Sequence, residues 1–119
     1  MLQVAAVLIV FLGIAHSVLG ERYILTRMFR RELPKLFGGQ EFTRNTLRFA
    51  WHLTTVLAFA LGAVLWLLGS SPPPELLAQI LGWFLLASGI LPLVFTRGRH
   101  LAWVVLFAAG GLCIAWAAP

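Results

Sequence analysis

The sequence predicts an all-α integral membrane protein, and three observations carry that prediction. The chain has 119 residues, of which 61% are hydrophobic and only 11% are charged. Soluble domains typically carry about 25% charged residues, and a soluble chain this small would leave much apolar surface in water. The apolar residues also fall in long runs, with the basic residues between or beside them. We therefore expect one membrane domain over residues 1–119.

Four apolar segments are long enough, or nearly long enough, to cross a bilayer as helices. A helix needs about 20 apolar residues to cross roughly 30 Å of hydrocarbon. The predicted spans cover residues 2–19, 49–68, 76–95 and 101–118. The first and last are short, so we expect them to tilt little or to thin the bilayer locally. No strand-like alternation competes, and a backbone in lipid must satisfy its own hydrogen bonds.

The basic residues predict how these spans are oriented. All nine Lys and Arg residues lie between spans one and two or between spans three and four. Because cytoplasmic loops carry an excess of Lys and Arg, both charged loops are expected in the cytoplasm. Both termini and the proline hairpin of residues 69–75 then lie outside. The resulting prediction is an antiparallel four-helix transmembrane bundle in the inner membrane.

The long cytoplasmic loop contains a predicted amphipathic helix over residues 21–34. Its apolar residues recur at helical spacing, and arginines occupy much of the remaining circumference. This pattern is typical of a helix that lies among lipid headgroups, with its basic side chains on anionic lipid. A helix that binds a partner protein is the alternative. The expected headgroup contacts are Arg22, Arg27, Arg30 and Arg31.

Ionisable residues near the ends of the spans indicate where a functional site would lie, because such groups are costly inside a bilayer. His16 lies near the cytoplasmic end of span one, and Glu21 follows at its boundary. His52 lies in the first turns of span two, one helical turn from Arg48, and His100 begins span four. Since consecutive spans run in opposite directions, the three histidines are expected at a similar depth on the cytoplasmic side.

Glu21 joins this cluster only under a structural condition. On a straight helix it lies roughly 140° from His16, so the helix must bend at Gly20 to bring the two together. If it bends, Glu21 can pair with Arg48 at the membrane boundary. The structural interpretation of the cluster is then a buried hydrogen-bond and ion-pair network of His16, Glu21, Arg48 and His52 that locks the helices together.

The sequence leaves several functions open. No hydrolase, transferase or nucleotide-binding motif is present, so we expect a non-enzymatic protein whose cluster binds a small ligand, an ion or a partner subunit. The first alternative is a redox protein that binds haem or a transition metal. The second is an oligomeric transporter of small solutes or protons, since imidazole changes charge near neutral pH. The possible metal or haem ligands are His16, His52, Glu21 and His100.

The expected partners are membrane lipids, including anionic headgroups. Small residues in spans three and four support close helix packing, either within one chain or in a homo-oligomer or larger membrane complex. Nucleic acid is not expected despite the net charge of +5, because no soluble domain is present to carry a basic patch. The identity of any cofactor stays open, since neither C-x-x-C-H nor H-E-x-x-H occurs.

Overall fold

The computed structural model describes all 119 residues and confirms an all-helical protein. The helices are α1 (Leu2–Met28), α2 (Glu41–Leu68), α3 (Pro74–Phe95) and α4 (Ala102–Trp116). Helices α1, α2 and α3 are each long and apolar enough to cross a membrane. Helix α4 has only 15 residues, which at 1.5 Å per residue gives about 22 Å, less than the roughly 30 Å of a hydrocarbon core.

The helices differ from the predicted segments in the long basic connection. Residues 21–28 do not belong to a separate amphipathic helix; they continue α1, and the chain then leaves the helix in a turn. The reason is that Gly20 keeps a right-handed helical conformation and opens a π-helical turn over Gly20–Leu25. Helix α2 begins at Glu41 rather than at residue 49, so its first two turns project beyond the predicted span.

The four helices lie side by side in one open layer rather than in a closed bundle. Each helix packs on the next along the chain, and no other pair of helices has Cα atoms within 8 Å. The Cα positions extend over 49 × 31 × 14 Å. Four helices in a row, spaced roughly 9 Å apart, occupy about 32 Å, which matches the second dimension. Lipid is as apolar as a leucine side chain, so no hydrophobic force brings α1 to α4.

Contacts across the seams fix the register of the helices. Along the α1–α2 seam, Gly13 lies against Phe59 and Ala6 lies against Gly62, so residue numbers rise in one helix as they fall in the other. At one end of the layer, Arg97 approaches Glu41 to 4.0 Å. The two basic connections, residues 29–40 and 96–101, therefore share that end, which we call the basic end.

Glycines allow close approach between α3 and α4. A Cβ atom at Gly82 would lie 2.9 Å from the carbonyl oxygen of Gly110 and 2.7 Å from Cγ1 of Ile114. A Cβ atom at Gly111 would meet no atom within 4 Å. Gly82 is therefore required by packing, as small residues in transmembrane seams commonly are, whereas Gly111 faces open space.

Replacing Gly82 by Ala should loosen the α3–α4 seam, while Gly111→Ala should not. At Gly82 the added methyl group meets a backbone carbonyl, and such overpacking typically costs about 1–3 kcal/mol. At Gly111 alanine is simply the better helix former. Thermal unfolding of the two variants in detergent micelles provides the comparison. An equal fall in their unfolding temperatures would contradict the tight seam at Gly82.

Candidate functional site

A π-helical turn in α1 brings Glu21 to the seam with α2. The turn spans Gly20–Leu25 and is continuous with the α-helix on both sides. A π turn changes the angular position of the residues that follow it, and such turns are frequent at functional sites. Gly20 has a second role, because a Cβ atom there would overlap the indole ring of Trp51. The glycine therefore lets Trp51 lie directly against α1.

Glu21 makes an ion pair with α2 through both carboxylate oxygens. Its Oε1 lies 2.8 Å from Nη2 of Arg48, and its Oε2 accepts a hydrogen bond of 3.3 Å from Nε of the same guanidinium. Oε2 also lies 3.1 Å from Nε2 of His52. Two parallel N–H···O bonds between Arg and a carboxylate are stronger and more directional than a single contact. All three side chains are about a quarter to a third exposed.

From His52 the hydrogen bonds continue towards the middle of the seam. Oγ of Ser17 lies 2.8 Å from Nδ1 of His52 and 2.7 Å from Oγ1 of Thr55. The Thr55 hydroxyl donates a hydrogen bond of 3.2 Å to the carbonyl oxygen of Gly13, and there the chain of polar contacts ends. The polar network thus consists of Arg48, Glu21, His52, Ser17 and Thr55.

His16 lies on the other side of the seam. Its ring stacks on Trp51 with centroids 4.4 Å apart and planes 6° apart, and its Nε2 lies 2.8 Å from the hydroxyl oxygen of Thr54. Trp51 in turn donates from Nε1 to the carbonyl oxygen of His16 at 3.0 Å. Adjacent residues on a helix point about 100° apart, which separates His16 from the neighbouring Ser17. His16 therefore helps to hold the seam but does not join the polar network.

Of two neighbouring arginines on α2, only one is ion-paired. Arg44 and Arg48 both lie over the ring of Phe29, with distances of 6.0 and 5.0 Å to its centroid. Arg48 is paired with Glu21, but Arg44 makes no ion pair. Nε of Arg44 is also buried without a hydrogen-bond partner. A buried guanidinium donor without an acceptor calls for an explanation. Arg44 as a whole is only half-buried, so the rest of its guanidinium can meet an acceptor from outside the chain.

The other predicted site residues lie elsewhere. His100 packs against Phe49 and Phe42, with ring centroids 5.0 and 6.2 Å away, and takes no part in the polar network. The four arginines predicted to contact headgroups are exposed at the basic end and make no ion pair. Those residues are Arg22, Arg27, Arg30 and Arg31.

The geometry does not fit a haem or metal site built from the predicted ligands. No three His, Cys, Asp or Glu side chains converge in a way that could hold a metal ion. Both ring nitrogens of His52 already face protein partners, and His16 lies on the opposite side of the seam from His52. Two imidazoles that hold one iron would have to project into the same space, and these two do not.

The order carboxylate, imidazole, hydroxyl in Glu21, His52 and Ser17 resembles that of a nucleophilic triad. Acyl transfer also requires N–H donors that stabilise the developing oxyanion. Ser17 lies inside α1, where the backbone N–H groups are used by the helix, and the Thr55 hydroxyl donates to a carbonyl. The arrangement therefore suits polar binding better than nucleophilic catalysis.

Sequence reasoning missed Ser17 and Arg44 as members of the site. The sequence argument compared Ser17 only with its neighbour His16. It therefore overlooked His52, the hydrogen-bond partner of Ser17 on the facing helix. A signal for Arg44 is present in the sequence, since Arg44, Arg48, His52 and Thr55 follow one another at helical spacing on one stripe of α2. Extending that stripe by one helical turn towards the start of α2 adds Arg44 to the site.

Comparison of the chain with models of protein families, with curated proteins and with solved structures finds no match.

A double-mutant cycle on Glu21 and Arg48 should give a coupling free energy of about 1 kcal/mol, because the pair is bidentate but partly exposed. The variants are Glu21→Gln, Arg48→Gln and the combination, with unfolding followed in detergent micelles. Glu41 and Arg97 offer a matched control, since they are 4.0 Å apart and 68% and 82% exposed. Their cycle should give a coupling near zero. The same coupling in both cycles would show that the Glu21 pair does not hold the seam.

Proposed function

We propose that this chain is a four-span inner-membrane protein, without enzymatic activity, that binds an anionic group between α1 and α2 at its basic end. The observation that carries the proposal is the unpaired guanidinium of Arg44 beside the ion-paired guanidinium of Arg48. The remainder of the polar network holds Arg48 in place. This proposal specifies the ligand as a group that bears negative charge.

The proposed topology has antiparallel spans, both termini outside and both basic connections in the cytoplasm. Its support is the approach of Arg97 to Glu41, which places both connections at one end of the layer, together with the positive-inside rule. Helix α4 is short, but Nε2 of Gln79 near the start of α3 donates to the carbonyl oxygen of Ala117. The end of α4 therefore reaches the first turns of α3, and local thinning of the bilayer accommodates the difference in length.

A reporter that is active only outside the cytoplasm tests this topology. Fused after Pro119, it should be active in bacterial cells, because α4 returns the chain to the outside. The control fusion, inserted after Gly38 in the long basic connection, should be inactive. Activity only in the second fusion would reverse the orientation, and inactivity of both would show that α4 does not cross the membrane.

The anion is expected to lie on the guanidinium pair of Arg44 and Arg48. Arginine presents a planar fork of donors that matches the oxygens of a phosphate or carboxylate group. Glu21 occupies two donors of Arg48 and leaves Arg44 free. The ring of Phe29 covers one face of both guanidinium groups, which orders them and reduces their contact with water. A preordered pair loses less side-chain entropy when the anion binds.

Glycerol 3-phosphate, a headgroup without an acyl chain, tests anion binding directly. In nanodiscs of phosphatidylcholine it should shift the NMR signals of the indole N–H of Trp51 and of the ring of His52. Arg44→Gln should weaken this binding about tenfold or more, because hydrogen bonds to charged groups contribute about 1.5–3 kcal/mol. The matched control is Arg27→Gln, which removes an exposed arginine at the same end and should leave the affinity unchanged. If both variants weaken binding equally, the weakening reflects only the net charge of the basic end, and the proposal is refuted.

A further inference from the structure

An open apolar groove lies between α1 and α2 beside the polar network. Its volume is about 560 Å³, and eight of its nine lining residues are hydrophobic. It extends over the levels of Ile14 to Ala6 on α1, a distance of about 12 Å along the helix. The side chains used below are Val7, Phe11 and Ile14 of α1 and Phe59, Ala63 and Trp66 of α2.

The groove and the polar network occupy the same face of the helix pair. On α2, His52 and Thr55 are followed at helical spacing by Phe59 and Trp66, so the polar stripe continues as the apolar lining. On α1, Ser17 is three residues from Ile14, which places these two side chains on neighbouring positions of the helix surface.

The two regions meet at Gly13. Its carbonyl oxygen accepts the last hydrogen bond of the polar network, from Thr55. The ring of Phe59, which lines the groove, lies close to the position that a Cβ atom of Gly13 would take. The protein therefore presents one surface that is cationic at the basic end and apolar from Gly13 onwards. A ligand that matches it bears a negative charge at one end and a hydrocarbon chain at the other.

We infer that the groove holds one acyl chain of an anionic phospholipid from the surrounding bilayer, with its phosphate on Arg44 and Arg48. The inference rests on the proposed function, since the same two arginines bind the headgroup. Charge complementarity selects an anionic headgroup over a zwitterionic one. The groove favours a hydrocarbon chain as its occupant, because it is almost entirely apolar and open along its length. A bilayer phospholipid reaches it by lateral diffusion, without crossing water.

Brominated acyl chains report occupancy of the groove through the fluorescence of Trp66, which lines it. Brominated phosphatidylglycerol, present as a minor component in unlabelled phosphatidylcholine, should quench this fluorescence saturably and beyond its share of the lipid. Brominated phosphatidylcholine at the same level should quench only in proportion to its share. The saturable component should disappear in Trp66→Phe and persist in Trp83→Phe. Trp83 is a matched control, since it lies outside the groove and is 63% exposed against 53% for Trp66.

Filling the groove separates the acyl-chain site from the headgroup site. Ala63→Phe places a ring in the groove and should reduce retention of phosphatidylglycerol, measured by native mass spectrometry, at least tenfold. Its response to glycerol 3-phosphate should be unchanged. Ala87→Phe, on an exposed position of α3, is the matched control and should retain the lipid. Ile14→Phe fills the groove from α1 and serves if Ala63→Phe fails to fold.

The outcomes distinguish the two proposals. If wild-type protein binds glycerol 3-phosphate but Ala63→Phe retains phosphatidylglycerol as well as wild type does, the acyl-chain site is refuted and the anion site stands. If neither the phosphate probe nor phosphatidylglycerol binds wild-type protein, both proposals fail. If oleate displaces phosphatidylglycerol at equal concentration, the occupant is a fatty acid rather than a phospholipid. If brominated phosphatidylcholine quenches as strongly as brominated phosphatidylglycerol, headgroup selection is refuted.

Discussion

The contact of Glu21 with Arg48 and His52 is the interaction on which the basic end of this protein depends. A carboxylate, a guanidinium and an imidazole at the edge of a bilayer each need partners, because the hydrocarbon beside them offers none. Glu21 reaches both α2 side chains only through the π-helical turn that begins at Gly20. The same glycine gives Trp51 its place against α1. One backbone feature thus positions both the polar network and the stacked His16–Trp51 pair on the opposite side.

The open layer explains why the site is accessible from the membrane. In a closed bundle the α1–α2 seam would face the interior, and its polar groups would be sealed among four helices. Here α1 contacts only α2 among the other helices, so both sides of the seam stay uncovered. The side chains of Glu21, Arg48 and His52 are a quarter to a third exposed, and the groove opens beside the network. A ligand can therefore approach laterally, and no helix has to move away first.

Sequence reasoning predicted the helical architecture from hydropathy, and from helical spacing it predicted a cluster of His16, Glu21, Arg48 and His52. The last three of these residues are in contact, whereas His16 packs against Trp51 and Thr54 on the other side of the seam. Sequence reasoning made the position of Glu21 depend on a bend at Gly20, and a π turn supplies the rotation instead. Whether a helix bends, breaks or widens at a glycine depends on what packs against that glycine, here Trp51. The sequence predicted a four-helix bundle but not which of its helices contact one another, for a similar reason. Apolar runs in the sequence define the helices, but the packing between helices determines whether α1 contacts α4.

The end of the polar network at Gly13 argues for binding rather than transport. A proton or ion that entered at Arg48 could pass along His52 and Ser17 as far as Thr55, where the last donor meets a helix carbonyl. Beyond that point the same face is lined by Phe59 and other apolar side chains, which give neither hydrogen bonds nor charge compensation. A polar species would stop there at a high cost of desolvation. An amphiphile meets no such barrier, because its charged group lies on the arginines and its hydrocarbon chain lies along the apolar side chains.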